Sequence, residues 1–341
     1  MSNKSWSIFS IWNQSLLTKP EREIKPRSYL FASEVGKAPS EIFLKLKGVP
    51  PSNPFNDRAK RKMESGNLFQ GLVALVLFRS GILLDEEIPY KLKYPNLLEI
   101  SGRADILAGG TPDWEKVKAE MEKDITWERF PFIIRTIKAT IENLSQKYPN
   151  GLSKQILEIK SCSGFMFELY EKNQTADVTH KIQTYTYLKA DSEIKQANIF
   201  YISRDDARAI EIGIFENPVT DKQHYDVVKK ITDYYQADEM PPLEPEIVWK
   251  DETLRFAPNW QVQYSPYLTK IYGWRDPEEF RLKYDKQIIS WNYTLNRALE
   301  NKDLTARNLE VIHEINQSGF NFEQLVVEAK EQKREVINND S

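Results

Sequence analysis

Three residues carry the chemistry this sequence can do: Asp105, Glu158 and Lys160. Glu158 and Lys160 belong to Leu157-Glu158-Ile159-Lys160. Asp105 belongs to Ser101-Gly102-Arg103-Ala104-Asp105-Ile106-Leu107, and both stretches read as strands. The two-residue period of a strand puts Glu158 and Lys160 on one face and Leu157 and Ile159 on the other. Two acids on neighbouring strands can hold a hard divalent cation, and the adjacent amine can orient a water beside it. Metal-assisted phosphodiester cleavage needs that arrangement.

The rest of the composition bounds what can surround these residues. A chain of 341 residues, 40% of them hydrophobic, suffices for one large domain or two smaller ones. A net charge of −3 supplies no global basic field, so contact with nucleic acid must come from local patches. Arg58, Lys60, Arg61 and Lys62 form one such patch, readable either as a phosphate contact or as the solvated first turn of a helix. Cys162 is the one cysteine, which excludes a disulfide within the chain and argues against thiolate-held zinc or an iron–sulfur cluster. Ser5 to Leu17 is broken by polar residues and reads as a short amphipathic helix, not a signal peptide. No apolar run is long enough to span a bilayer, so a cytoplasmic protein with no membrane partner is expected.

Stepping along the chain, Ser33-Glu34 precedes a short helix ending near Gly48, and Pro50, Pro51 and Pro54 break the chain after it. A long helix is expected from about Phe55 to Ser80, closed by Gly81, and its second half is apolar nearly all round, as a buried core helix would be. Strands from about Glu86 to Tyr94 and Leu97 to Leu107 form a hairpin around Pro95-Asn96. Residues 112–150 read as a helical insertion, with Pro112 at a first helical position, Pro131 opening a second helix, and Phe130, Ile134, Ile137, Ile141 and Leu144 along one stripe. A strand from Gln155 to Ser161, a helix from Ala176 to Ala190, strands at Ala197 to Ser203 and Ala209 to Phe215, and a helix from Val219 to Gln236 follow. Beyond a loop, helices are expected at about Pro277 to Glu300, Thr305 to Asn316 and Phe322 to Val336, then a disordered polar tail. The result is an α/β fold: a mixed central sheet flanked by helices over residues 1–275, with a helical C-terminal extension over 276–341.

With its elements in this order, the chain resembles the PD-(D/E)xK nucleases, which share a restriction-endonuclease-like fold. The likeness is to the RecB-like exonuclease branch, over about residues 30 to 275. Four pieces carry it: Gly66-Asn67-Leu68-Phe69-Gln70, Gly102-Arg103-Ala104-Asp105, Glu158-Ile159-Lys160, and Gln183-Thr184-Tyr185-Thr186-Tyr187. Each piece alone is weak, and their order on the required elements is what distinguishes them. The resemblance implies that Asp105 and Glu158 ligate Mg²⁺ or Mn²⁺, helped by the backbone carbonyl of Ile159, and that Lys160 orients water and stabilises charge on the phosphate. It implies that Gln183 and Tyr187 line the cleft near the substrate strand, with Arg58 and Arg61 as further substrate contacts. Many relatives carry a histidine ligand where this chain has Gln70. Gln70 is therefore a weak metal ligand, a ligand through water, or a core amide that only holds the site together, and Glu64 is an alternative ligand. His180, His224 and His313 show no ligand spacing, and His180 is the one near enough the motifs to touch substrate.

Some RecB-like nucleases, including the CRISPR adaptation branch, hold a four-cysteine iron–sulfur cluster. Here Ala38, Val262, Ser265 and roughly Ile271 occupy those positions within a retained frame, Trp260 to Tyr267 and then Tyr272-Gly273. No cluster is expected, with side-chain packing in its place. The resemblance implies a metal-dependent DNA exonuclease, acting on ends or single strands in repair, recombination, phage replication or CRISPR spacer processing. The rival expectation is a catalytically weak or inactive DNA-binding subunit, motivated by Gln70. Because it lies between the two active-site strands, the 112–150 insertion is expected at the rim of the cleft, as a lid or docking element or else as passive decoration; a protein partner could dock on it or on the C-terminal helices.

Overall fold

The computed structural model describes residues 24–123, 131–241, 246–250, 253–257, 260–263, 265–271, 277–317, 321–327 and 329–330. The helix expected at Ser5 to Leu17, Phe130 of the stripe, Tyr272-Gly273 of the frame and the polar tail lie outside the described residues. The described residues form two compact units: one within 27–37 and 55–233, the other within 24–26, 38–54 and from Tyr234 onward. The divide falls at Asp233–Tyr234, and the described residues between Tyr234 and Ile271 group with the C-terminal helices.

The first unit is a mixed sheet, six-stranded among the described residues. Its strands are β1 (Tyr29–Phe31), β2 (Leu83–Leu92), β3 (Glu99–Gly110), β4 (Leu152–Cys162), β5 (Ala197–Ser203) and β6 (Ala209–Ile214). β3 pairs in parallel with β1 and antiparallel with β2 and β4; β4 then pairs in parallel with β5, and β5 antiparallel with β6. β2 runs along one edge of β3 through residues 100–108. The other edge of β3 is shared, β1 taking residues 99–101 and β4 taking residues from Ile106 onward. Gly102 to Asp105 are left on that edge without a strand partner. The gap is where the site forms.

Helix α2 (Asp57–Arg79) crosses one face of the sheet, started by the Asn56 side chain, which accepts from Ala59 N–H at 3.0 Å, and stopped before Gly81, whose φ of +71° suits glycine. Its stripe of Phe69, Val73, Ala74 and Leu77 packs on Ile106, Leu157, Ile159 and Ile202. The expectation of a helix buried all round is corrected. Only Ala74 is fully buried, and Leu68, Leu72 and Phe78 are 55%, 45% and 61% exposed. One sheet face covers one stripe of a helix, however apolar the other side is. On the opposite side of β4, helix α6 (Val178–Ala190), capped by Asp177, presents Gln183 and Tyr187.

The insertion folds as α3 (Trp114–Lys123) and α4 (Pro131–Lys147). Its stripe residues Ile137 and Ile141 are buried with Trp114 and Met121 against Val76, Leu77, Ile82 and Leu152. That packing corrects the expectation of an insertion at the cleft rim. Leu152 is six residues along β4 from Glu158, about 20 Å at the rise of a strand. α3 starts at Trp114 and not Pro112, because the Asp113 side chain accepts from Lys116 N–H at 3.1 Å. Helix α5 (Gly164–Asn173), capped by Ser163, and strand β1 were not expected from the sequence. Helix α7 (Pro218–Ala237) completes the order, its His224 buried between Tyr94 (2.9 Å) and Thr186 (2.8 Å), a satisfied core histidine.

In the second unit, α1 (Pro39–Leu46) precedes a hairpin, β7 (Glu246–Lys250) and β8 (Thr253–Ala257), where a loop was expected. Short helices α8 (Trp260–Gln263) and α9 (Leu268–Ile271) and long helices α10 (Pro277–Leu299) and α11 (Ala306–Gln317) follow. Ala38, Val262, Tyr267 and Ile271 share one buried cluster with Trp291, Val311 and Ile315. Ser265 is buried too, its N–H on Val262 O at 3.0 Å. Three of the four positions read from the sequence as cysteine replacements, Ala38, Val262 and Ile271, therefore sit in one apolar core, and the fourth, Ser265, is buried beside Val262. Among the described residues no helix is long and apolar enough to cross a membrane.

Candidate active site

β4 is buried on both faces from Ile156 to Ile159, so its alternation sorts side chains between two environments. Leu157 and Ile159 join the apolar cluster under α2. Glu158, 1% exposed, and Lys160 face α6 and pair at 2.6 Å. The β3–β4 ladder ends at the pair Ile106–Leu157. Two residues further on, the N–H of Ile159 donates to Asp105 Oδ2 at 2.7 Å. A side-chain carboxylate thus replaces a backbone carbonyl where the strands part, which brings Asp105 beside Glu158.

Gln183 ties the group together. Its amide donates to Glu158 Oε1 at 2.6 Å and to the Tyr187 hydroxyl at 3.1 Å, while its carbonyl accepts from Lys160 Nζ at 3.2 Å. Tyr187 is 1% exposed and packs its ring near Tyr90. A Cβ at Gly102 would lie 2.8 Å from the Tyr187 ring and 2.7 Å from Ala32 Cβ, so the Gly-Arg-Ala-Asp segment needs glycine to admit the ring. Tyr187, expected to line the cleft, is instead an internal brace for Gln183.

The electrostatics are those of a crowded acidic site. Burial and the Glu158 carboxylate raise Asp105 to about 7. Burial works against a charge on Lys160, but Glu158 and Asp105 outweigh it and hold the ammonium above its ordinary range. Lys160 is therefore charged at neutral pH and can donate hydrogen bonds but not act as a base. Glu158 Oε2 is buried with no hydrogen-bond partner among the described residues. An orphaned carboxylate oxygen beside a second acid that resists ionisation suits a cation, so the donor set fits a hard divalent ion. Among the described residues no three His, Cys, Asp or Glu side chains converge to cage a metal by themselves. Asp105 and Glu158 are the side chains that could hold such an ion, with the remaining positions left to water and substrate, the habit of Mg²⁺.

Gln70 is anchored through its amide nitrogen. Its amide nitrogen donates to Glu87 Oε1 at 3.0 Å, and a carboxylate only accepts, so the –NH₂ must face Glu87. Arg58 and Arg61 are exposed in the first turns of α2. They lie about 18 and 13 Å along the helix axis from Gln70 and outside the carboxylate group. His180 is half-buried against the Tyr201 hydroxyl at 2.8 Å and pushed down to about 4 by burial and by Lys160, so it is neutral. Sequence reasoning missed Glu87. It lies on β2 between the pairs Glu86–Ile106 and Ile88–Ala104, across from Asp105. Only the hairpin register could have found it.

No protein-family model and no curated protein matches the sequence. Among solved structures, the chain is similar to an alkaline exonuclease (LHK-Exo) from Laribacter hongkongensis. The identity is 13%, over 62% of this chain and 89% of that one, with a TM-score of 0.38. The same enzyme in complex with dAMP matches at 13% identity over 67% and 93% of the two chains, TM-score 0.38. The protein SSO0001 matches at 12% identity over 80% and 96%, TM-score 0.41.

Proposed function

We propose that this protein is a metal-dependent DNA nuclease of the RecB-like type, an exonuclease working with Mg²⁺ or Mn²⁺ and without an iron–sulfur cluster. The observation that carries this reading is the pairing of Asp105 and Glu158 at the parting of β3 and β4, with Glu158 Oε2 buried and unpartnered beside the Lys160 ammonium. A divalent cation held by Asp105, Glu158 and the Ile159 carbonyl would supply Lewis acidity and a water of lowered pKa. Lys160 donates to the attacking water and to the phosphate oxygen on which charge accumulates. Gln183 fixes Glu158 and Lys160 relative to each other, so neither must reorganise as the phosphate arrives. Arg58 and Arg61, exposed on the first turns of α2, would meet backbone phosphates further along a bound strand, a contact that weakens with salt.

End-labelled single- and double-stranded DNA, incubated with and without Mn²⁺ and sized by electrophoresis, tests the reading. Cation-dependent release of short products from an end is expected, lost in Asp105→Asn and Glu158→Gln. DNA binding with no cleavage under any cation would leave the rival reading, a nuclease-fold binding subunit.

A further inference from the structure

Glu87 is the one non-glycine residue inside a described strand whose backbone is left-handed, with φ of +52°. A side chain bearing a Cβ resists that conformation, and glutamate has none of the local hydrogen-bonding ability that lets asparagine tolerate it. Strained backbone of this kind persists only where the surroundings impose it, and it gathers at functional sites. The surroundings here are specific. Glu87 stands across the β2–β3 hairpin from Asp105, and the Gln70 amide of α2 grips its carboxylate at 3.0 Å. A third acid is thereby held at the exposed edge of a pair that is already crowded. An acid there is unfavourable beside two carboxylates alone and favourable beside a cation. The independent sign of a ligand is the buried, unpartnered Glu158 Oε2.

We propose that Glu87 is a third acidic group of the cation site, holding the ion through its water shell, and that Gln70 is a positioning residue acting only through Glu87. The inference rests on the nuclease reading and deepens it. An outer-shell role needs no direct three-carboxylate cage, and none is found among the described residues; Mg²⁺ sheds its waters reluctantly and is held from the outer shell as much as from the inner one. Gln70 then serves the metal by orienting an acid on the neighbouring strand.

Calorimetric titration of Mn²⁺ into the DNA-free full-length protein tests this without reference to cleavage. Wild type should bind Mn²⁺, Glu158→Gln should abolish binding, and Glu87→Gln should weaken it by about tenfold or more. Gln70→Ala should weaken binding by a smaller factor and add nothing in a Glu87→Gln background. If wild type binds no Mn²⁺, the nuclease reading and the proposal fall together. If Glu158→Gln loses binding while Glu87→Gln retains wild-type affinity, the proposal alone falls. A Gln70→Ala loss that persists undiminished in Glu87→Gln would make Gln70 a ligand in its own right and overturn its positioning role. Should Glu87→Gln fold poorly, Glu87→Gly decides: glycine adopts the left-handed backbone freely, so this variant should melt no lower than wild type yet bind Mn²⁺ more weakly. Unchanged affinity in a folded Glu87→Gly protein overturns the proposal.

Discussion

At the scale of single residues, charge and burial set the working conditions of the site. An acid whose native value of about 7 lies above its ordinary 3.8 binds more protons folded than unfolded between those values. Its contribution to stability is therefore fully present at low pH and is lost as pH rises through about 7. The metal-free protein should melt at a lower temperature at about pH 8 than at about pH 6, and Asp105→Asn should flatten that part of the profile. A cation must displace the same proton, so Mn²⁺ affinity should fall as pH drops below about 7. Calorimetric melts and titrations across pH check both slopes. Lys160→Ala removes the partner of a carboxylate that is 1% exposed, and breaking a buried pair costs about 3–5 kcal/mol. That variant should unfold at markedly lower denaturant, so Glu158→Gln is the cleaner probe of catalysis. Asp105, Glu158 and Lys160 were legible in the sequence because a two-residue period and a known motif order mark them. Glu87 was not, because neither cross-strand register nor a left-handed glutamate leaves a periodic signal.

At the scale of elements, the site depends on a gap in one sheet edge and on the helix that fills it. β1 and β4 leave Gly102 to Asp105 unpaired, and α6 inserts Gln183 and Tyr187 there. Gly102→Val would drive side-chain atoms into the Tyr187 ring and Ala32, already within 2.8 Å of a bare Cβ. Overpacking of this kind costs about 1–3 kcal/mol. Displacing Tyr187 loosens Gln183, so turnover should fall further than substrate binding, while Gly102→Val/Tyr187→Leu should regain stability and not turnover. Steady-state kinetics beside thermal melts separate the two effects; equal recovery of both would mean Gly102 matters to packing alone. The central helices and strands were readable because each repeats a period over several turns or residue pairs. β1 is only three residues long, α5 opens on Gly164, and β7 and β8 follow Pro241-Pro242 and Pro245, so none of these offered a pattern long enough to outweigh its breakers.

At the scale of the whole chain, the 112–150 insertion shows where sequence order misleads about space. It interrupts the chain between the two strands that bear the carboxylates, which suggested a lid over the cleft. The strands are antiparallel, however, so the connection leaves β3 at Gly110 and enters β4 at Leu152, at the end away from Asp105 and Glu158. Its stripe is spent inside the chain, with Ile137 and Ile141 at 0% and 2% exposure against Val76, Leu77, Ile82 and Leu152. A partner docking on the insertion would have to use its outward residues and not that stripe. Replacing residues 112–150 with a Gly/Ser linker would return the apolar side chains of Val76, Leu77, Ile82 and Leu152 to water. At roughly 1.5–3 kcal/mol for each fully buried side chain, the loss is on the order of 5 kcal/mol, comparable with the stability of a small domain. The variant should therefore melt far below wild type or fail to accumulate as a folded protein. Any folded fraction, recovered by size exclusion and assayed at low temperature, should keep the wild-type preference among DNA ends, because nothing near Glu158 has been removed. A deletion variant that melts like wild type while changing its preference would return the insertion to the mouth of the cleft and contradict the packing that places it at the other end of β4.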